Sequence, residues 1–466
     1  MDLLVFIGVS IINVLLICAL IRFRSPISSE GWCAVFLLAS VVADNTELLI
    51  QYFFRPESMI LGPGGEFGLR IYPTVVHILG LSALFAGLLI ADPRPRELSF
   101  SLGASELRIL RRIGAALVAI GATLYGIAIA LIGAFSADKF LSTLDQYRSS
   151  PVDLPFGGFW YRGIDIALLG LTILFATSKG PRQLLYGLAT FVTPVIGTSN
   201  KGGLERALIC CVFIFCVYRR AAFKHFLRNR WTWVTVVPLA IVCSIAVIGL
   251  KNSFRTGKEA PRSAGTALKG GLDTIGVRYS SDGLFRGYSL MVSTLHDGYI
   301  QPFQGRVLEY TATDWIPRMI YPKKPDHPFR AIGYMIYSDR HVYSTDHAAP
   351  TLVGWAYADA RLSSTILYLL AGGIVLGLLR RIVTQPGHSL YWSVGYIFFC
   401  LLGACSPEAG FLDLVWGGVF ALGLMALTSV LVGLMSAGDR PRMKSYVTRP
   451  RIDRVAAMPA RGEIRA

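Results

Sequence analysis

The sequence predicts an all-α polytopic membrane protein with about eleven transmembrane helices and one large external, mostly helical loop. Three observations predict this class. The 466 residues are 53% hydrophobic and only 16% charged, whereas a soluble protein carries about a quarter charged residues. Apolar runs long enough to cross a hydrocarbon core of about 30 Å recur along the chain. Basic residues concentrate in alternate loops, as the positive-inside bias of membrane proteins requires.

The predicted spans divide the chain into four parts. Residues 1–250 form an N-terminal bundle of about eight spans, covering Leu3–Ile21, Trp32–Phe54, Tyr72–Ile90, Ile113–Ala134, Trp160–Thr177, Leu184–Thr198, Gly203–Tyr218 and Thr232–Leu250. Residues 251–362 form a polar cap. Residues 363–436 add about three spans, covering Ser363–Leu379, Leu390–Leu402 and Phe411–Met435. Residues 437–466 are rich in arginine and proline, which predicts a disordered tail held near anionic lipid headgroups.

The loops after the odd-numbered spans are strongly basic. They and the tail hold the clusters Arg22/Arg24, Arg94/Arg96, Arg108/Arg111/Arg112, Lys179/Arg182, Arg219/Arg220, Arg380/Arg381 and Arg440/Arg442. This places the N-terminus and the cap outside and the C-terminal tail inside. Because one-sided loop charge accounts for much of the formal net charge of +16, we expect no nucleic-acid partner.

Ionisable residues within the predicted spans gather toward the outside. Asp44, Glu47, Gln51 and Arg55 follow each other at helical spacing on the second span. Charges of this kind can be helix-end residues whose side chains reach the interface. Asp44, however, lies about 18 Å from the inner helix end. The pattern favours a water-filled cavity that opens outward, with Asp44 and Glu47 at its floor. The inner halves show no comparable charge.

The cap contains one well-defined predicted helix, from about Ser280 to His296. Its apolar face consists of Leu284, Tyr288, Met291, Val292 and Leu295, and its polar face of Asp282, Arg286, Ser289, Ser293 and His296. Arg278 would extend the polar face. This face either is solvated or binds a ligand. Its mixture of arginine, histidine and hydroxyl groups favours a ligand, because an ordinary solvated helix face is rich in lysine and glutamate.

A second cap motif runs from Trp315 to Pro325 and reads WIPRMIYPKKP. Its three prolines prevent a continuous helix. Arg318, Lys323 and Lys324 lie there beside aromatic residues, which suits an anion next to a sugar ring. A basic turn at the membrane surface is the alternative.

The cap holds four of the chain's seven histidines, His296, His327, His341 and His347. Three of them follow closely after an aspartate, but no pair has the spacing of a known helical metal site. We therefore expect no metal and no cofactor. A catalytic base among these groups is favoured, because a carboxylate beside a histidine sets its tautomer and pKa.

Residues from about Arg278 to Leu379 resemble the Wzy-type oligosaccharide repeat-unit polymerases of bacterial O-antigen and exopolysaccharide assembly. The resemblance is carried by IPRMIYPKKP, by APTLVGWAYADAR and by the glycine-rich LAGGIVLGLL. It implies a GT-C-like glycosyltransferase in the bacterial inner membrane, with the N-terminus periplasmic and the C-terminus cytoplasmic. The donor would be a glycan on undecaprenyl pyrophosphate, and a chain-length regulator and a flippase are the protein partners that the resemblance suggests.

Within this interpretation, cations stabilise the departing pyrophosphate. The candidates are Arg278, Arg286, Arg318, Arg330 and the pair Lys323/Lys324, while His347, His296 and Asp297 are the candidate bases. An O-antigen ligase-like transferase shares the same plan. A transporter or flippase of lipid-linked sugars, or a non-catalytic membrane scaffold, are the alternatives from other classes.

Overall fold

The computed structural model describes residues 2–24, 29–54, 56, 62–93, 104–131, 162–197, 263, 265–272, 284–313, 321–323, 351–383 and 411–436, with single positions between 225 and 249. These residues are almost entirely helical and include no strand, so the predicted all-α class is confirmed. The main helices are α1 (Asp2–Arg24), α2 (Ser29–Phe54), α3 (Gly62–Ala91), α4 (Ala104–Leu131), α5 (Arg162–Thr177), α6 (Pro181–Gly197), α7 (Leu284–His296), α8 (Arg306–Thr313), α9 (Thr351–Val383) and α10 (Phe411–Ser436).

Three of the described helices are long and apolar enough to cross a membrane, over Asp2–Arg22, Gly65–Ala91 and Thr351–Leu378. Two shorter apolar helices cover Gly163–Thr177 and Leu422–Leu434. This number does not support the predicted total of about eleven. The predicted spans Gly203–Tyr218 and Leu390–Leu402 lie outside the described residues, and isolated positions alone are described between 232 and 250.

Helices α3, α4 and α9 begin well before the apolar runs that predicted them. The early turns of α4 contain Arg111, which was expected in a loop. Its guanidinium donates from Nε to the backbone oxygen of Thr177 at 3.0 Å, at the C-terminal end of α5. A cation there satisfies a free carbonyl and complements the helix dipole. Hydropathy alone misses the first turns of α4, because a polar side chain there bonds to a neighbouring helix rather than to solvent.

Helices α1 and α3 and residues 362–383 of α9 pack side by side in the core and run in the same direction. Phe6 and Asn13 of α1 meet Phe67 and His77 of α3 in that order. Gly80 and Gly87 of α3 lie against residues around 369 and 374 of α9 in the same order. A Cβ on Gly87 would collide with the backbone oxygen of Leu370, so small residues allow these helices to approach closely.

Helix α9 is broken near its start and folds back on itself. Ala360 (φ −146°, ψ 37°) and Arg361 (φ 59°, ψ −135°) are not helical. Val353 and Thr365 both lie beside Gly80, whereas a straight helix would separate them by about 18 Å. Residues 351–359 therefore rise beside α3 toward its N-terminal end, and residues 362–383 descend alongside it. Part of the segment predicted as cap is thus packed at the middle of α3.

Candidate functional site

Helix α7 packs across the segment of α3 that contains a proline. Pro73 has no N–H, so the backbone oxygen of Leu69 has no helical donor. The hydroxyl of Ser293 donates to this oxygen at 3.1 Å, and the hydroxyl of Tyr288 donates to the oxygen of Pro73 at 2.9 Å. Ser293 therefore supplies the donor that Pro73 removes, and Tyr288 adds a second bond from α7 to the same segment of α3.

The predicted end of the cap helix at His296 and its apolar face are confirmed. Tyr288, Met291, Val292 and Leu295 are fully buried in the main core cluster. Ser289 and Ser293, assigned to the polar face, are buried as well. Because α7 touches α2, α3 and α9, it is enclosed on several sides, and Ser289 and Ser293 are shielded from solvent.

Burial raises the pKa of the Tyr288 hydroxyl well above its usual value, and the nearby hydroxyls of Tyr357 and Tyr72 raise it further. The phenol is neutral at physiological pH and remains a hydrogen-bond donor to Pro73. Burying this neutral hydroxyl costs little free energy, because the backbone oxygen of Pro73 accepts its hydrogen bond.

The C-terminal end of α7 forms a cluster with α3 and α9. The ring of His296 stacks on Tyr72 with a centroid distance of 3.9 Å. The hydroxyl oxygens of Tyr72 and Tyr357 are 3.2 Å apart. Asp297 and Arg361 both lie close enough to the Tyr357 hydroxyl to act on it electrostatically. His296, Asp297 and Arg361 are exposed, so a proton acceptor and a cation face solvent at one edge.

Arg361 is held in a left-handed backbone conformation, with φ 59°. Such a conformation is costly for a residue other than glycine and persists only where the surroundings enforce it. Ser364 accepts the N–H of Ala360 at 2.8 Å, and Thr365 donates to the oxygen of Arg361 at 2.8 Å. These bonds fix the break and present the Arg361 side chain at the surface.

Asp359 joins the break in α9 to the rest of the cap. Its carboxylate accepts the N–H groups of Gly305 (2.8 Å) and Val307 (3.2 Å), at the first turn of α8, and the hydroxyl of Tyr368 (2.6 Å). A carboxylate at a helix N-terminus satisfies free donors and complements the dipole. Because Asp359 is fully buried, this connection is rigid.

Asp44, predicted at the floor of an outward cavity, is buried. Its carboxylate forms an ion pair with the guanidinium of Arg70 on α3, and both side chains are almost inaccessible. A second buried pair joins Asp92 and Arg380, with Nε and Oδ2 3.9 Å apart, where α3 and α9 end. Both residues lie just beyond the apolar stretches Gly65–Ala91 and Thr351–Leu378, so the expected absence of charge from the inner halves of the spans stays a prediction.

The remaining candidates are only partly described. Lys323 is exposed in a turn, and Glu47 and Arg286 lie in helices whose backbone alone is described at those positions. Arg278, Arg318, Lys324, Arg330 and His347 lie outside the described residues. Among the predicted catalytic residues, His296 and Asp297 are described, and these chain neighbours are both exposed.

Sequence reasoning did not select Tyr72, Tyr357, Arg361 or Arg70. Arg361 ends the motif APTLVGWAYADAR, and a charged residue inside an otherwise apolar run was the one available signal. The partners of the others are far apart in sequence, so no local pattern identifies them.

Among the described residues, no group of three or more His, Cys, Asp or Glu side chains could hold a metal ion. The Asp-His pairs between 326 and 347 lie outside those residues, so the expectation of a metal-free site stays a prediction. No protein-family model, curated protein or solved structure matches the chain.

Proposed function

We propose that the protein is a membrane-embedded glycosyltransferase that polymerises undecaprenyl-pyrophosphate-linked oligosaccharide repeat units into O-antigen or exopolysaccharide. The observation that carries this proposal is the grouping of His296, Asp297 and Arg361 at one exposed edge, where α7 meets the break in α9. Transfer of a sugar from a pyrophosphate donor needs a proton acceptor and a cation close together.

In the proposed reaction, His296 or Asp297 takes the proton of the acceptor hydroxyl as it attacks the anomeric carbon of the donor sugar. The bond from that carbon to the pyrophosphate oxygen breaks, and negative charge grows on the leaving group. Arg361 stabilises this charge. Arg278, Arg286, Arg318, Arg330, Lys323 and Lys324 remain proposed contributors, and His347 is an alternative base. No divalent metal is required if these cations act.

The membrane setting belongs to the same proposal. A GT-C-like bundle of about eleven spans would lie in the bacterial inner membrane, with the N-terminus and cap periplasmic and the tail cytoplasmic. The polyprenyl tail would occupy an apolar groove between helices. A chain-length regulator and a flippase would work beside it.

The first prediction tests the site with variants, both as purified proteins and in a strain that lacks the natural gene. Arg361→Ala should reduce the polymerisation rate of the purified protein by about a hundredfold, because a preorganised contact to the leaving group is lost. Arg361→Lys should recover only part of that rate, since lysine lacks the planar fork. In the strain, Arg361→Ala and His296→Ala should each replace long surface chains with single repeat units.

Gln301→Ala is the matched control, because Gln301 is exposed in the same cap segment but belongs to no part of the cluster. Its chain-length distribution should equal that of the unmodified protein. Normal chains from both Arg361→Ala and His296→Ala, with both proteins folded and present in the membrane, would rule out this site.

The phenotype of the same strain distinguishes two alternative functions from polymerisation. A ligase-like transferase would leave chain length unchanged and instead abolish attachment of finished chains to lipid A. A flippase or transporter of lipid-linked sugars is the other alternative. In that case the lipid-linked repeat unit would accumulate on the cytoplasmic face.

A further inference from the structure

Basic side chains gather where α4 begins and where a short turn joins α5 to α6. The four that form this basic patch are all exposed: Arg108 and Arg112 on α4, Lys179 in the turn and Arg182 on α6. In the sequence, Glu106 is the one carboxylate in residues 104–112, and residues 177–190 contain none. The patch therefore carries a clear excess of positive charge.

A direct contact brings the two parts of the patch together. The Nε of Arg111 donates to the backbone oxygen of Thr177 at 3.0 Å. Arg111 is the chain neighbour of Arg112, and Thr177 lies two residues before Lys179, so the start of α4 lies beside the α5–α6 turn. Two residues span at most about 7 Å of chain, which places the cations of α4 next to those of the turn.

The arrangement of these cations is unfavourable for the folded chain alone. Arg108 and Arg112 lie one turn apart on α4, and like charges at that spacing repel each other. Arg182 lies in the first turn of α6, where the helix dipole disfavours a cation. A negatively charged partner would relieve both effects, so the patch favours binding of an anion.

Helix α6 continues from the patch with an exposed apolar face. Leu184, Leu185 and Leu188 are 78%, 62% and 60% exposed. Tyr186, on the opposite side of the same helix, packs against Phe175 of α5. The leucines therefore point away from α5, and they begin two residues after the last cation of the patch. An apolar face directly beside a basic patch matches a molecule with an anionic head and a hydrocarbon tail.

We propose that the basic patch and the leucine face of α6 form a binding surface for an anionic phospholipid. The arginines would bind the headgroup phosphate, since a guanidinium can contact two phosphate oxygens at once. The acyl chains would lie along the leucines. A soluble polyanion would satisfy the patch but leave the leucines uncovered. This inference shares the membrane setting of the proposed function but does not depend on transferase activity.

Lipid titration of the purified full-length protein in a neutral detergent tests the surface. Fluorescent phosphatidylglycerol, which is anionic, is compared with fluorescent phosphatidylcholine, which has no net charge and carries the same acyl chains. Phosphatidylglycerol should bind at least about tenfold more tightly at low ionic strength, because several basic residues attract its headgroup. The difference should shrink in about 0.5 M salt, since these exposed charges are screened.

A double variant then assigns the preference to this patch. Arg112→Gln with Arg182→Gln removes one cation from each side and should weaken phosphatidylglycerol binding about 25-fold, at about fivefold for each basic residue. Binding of phosphatidylcholine should not change. Arg22→Gln with Arg230→Gln is the matched control, because it removes two exposed cations outside the patch on the same predicted side of the membrane. It should keep the preference.

Equal affinity for the two lipids in the unmodified protein would overturn the proposal, and this comparison decides the question even if the double variant does not fold. So would an equal loss of preference in the control variant, because the attraction would then come from net charge alone. Glycerol phosphate, which has a headgroup phosphate but no acyl chains, is the last competitor. Displacement of phosphatidylglycerol by an equal concentration of it would show that the leucine face contributes nothing.

Discussion

At the scale of single residues, the contact between α7 and α3 depends on a few hydroxyl groups. Ser293 and Tyr288 donate to two backbone oxygens around Pro73. Only the Leu69 oxygen depends on α7 for its donor, and leaving such a buried group unpaired costs about 1–3 kcal/mol. Substituting these hydroxyls should therefore loosen the cap without disturbing the apolar face of α7.

We predict that Tyr288→Phe lowers the free energy of unfolding by about 0.5–1.5 kcal/mol near neutral pH, because a buried hydrogen bond to the oxygen of Pro73 is lost. The raised pKa of Tyr288 adds a pH dependence. Its stabilising contribution is fully present below the unfolded-state pKa of about 10 and is lost as pH rises above it, since only the unfolded state then ionises readily.

Unfolding measured between pH 7 and pH 11 checks this prediction. The unmodified protein should lose stability above about pH 10 more steeply than Tyr288→Phe. Tyr299→Phe is the control, because Tyr299 is 82% exposed and should behave like the unmodified protein. A Tyr288→Phe protein as stable as the unmodified one would mean that this bond contributes nothing.

The sequence predicted which residues of α7 are buried but not what they contact. Helical periodicity placed Tyr288, Met291 and Val292 on one face, and all three are in the core. The stacking of His296 on Tyr72 joins residues more than two hundred positions apart, and a single sequence contains no signal for such a pair. The same holds for Arg70, whose role depends on its partner Asp44 on the preceding helix.

At the scale of secondary-structure elements, the break in α9 is the main feature that hydropathy could not predict. Residues 351–378 belong to one helix long and apolar enough to cross a membrane, and neither residue at the break is glycine or proline, the usual signals for a kink. The break is fixed instead by contacts from elsewhere, chiefly the buried Asp359 carboxylate at the first turn of α8. The predicted start of the ninth span at Ser363 nevertheless falls close to it.

The fold-back can be tested with a pair of cysteines. Val353 Cγ1 and Thr365 Cγ2 lie 2.9 and 3.2 Å from the position that a Cβ on Gly80 would occupy, so they are close to each other. In a cysteine-free background, Val353→Cys combined with Thr365→Cys should form a disulfide under mild oxidation, detected by mass spectrometry. The distance allowed between the two Cα atoms is at most about 7 Å.

Val353→Cys with Val375→Cys is the control pair, because Val375 lies further down α9 and is half exposed. This pair should remain reduced. If the first pair also remains reduced in a folded protein, α9 is a continuous helix and the described break is wrong.

At the scale of the whole molecule, the predicted external segment is not separate from the bundle. Helix α7 lies on α3, residues 351–359 reach Gly80, and residues 267–271 pack against Ile245 and Gly249. Composition identified this segment as polar, but composition does not show how deeply its apolar faces insert. The parallel direction of α1, α3 and α9 is the relation that odd-numbered spans must have in the predicted register.

Topology is the prediction at this scale. Reporter fusions after Arg230 and at Gly265 should report opposite sides of the membrane, with Arg230 inside and Gly265 outside, because basic loops stay in the cytoplasm. A fusion at Arg24 is the control and should be inside. Reporters on the same side at Arg230 and Gly265 would contradict the register.

The proline in α3 also has a consequence for the order of events during synthesis. The donor to the Pro73 oxygen comes from a residue 215 positions later, and the donor to Leu69 from one 224 positions later. At about 5–20 residues per second, a ribosome needs on the order of 10–40 s to add that length of chain. For that interval α3 is in place without its final partners. The N-terminal helices are therefore in an unfinished state until the cap is made, and α3 also waits for α9, which is synthesised later still and packs against Gly80 and Gly87.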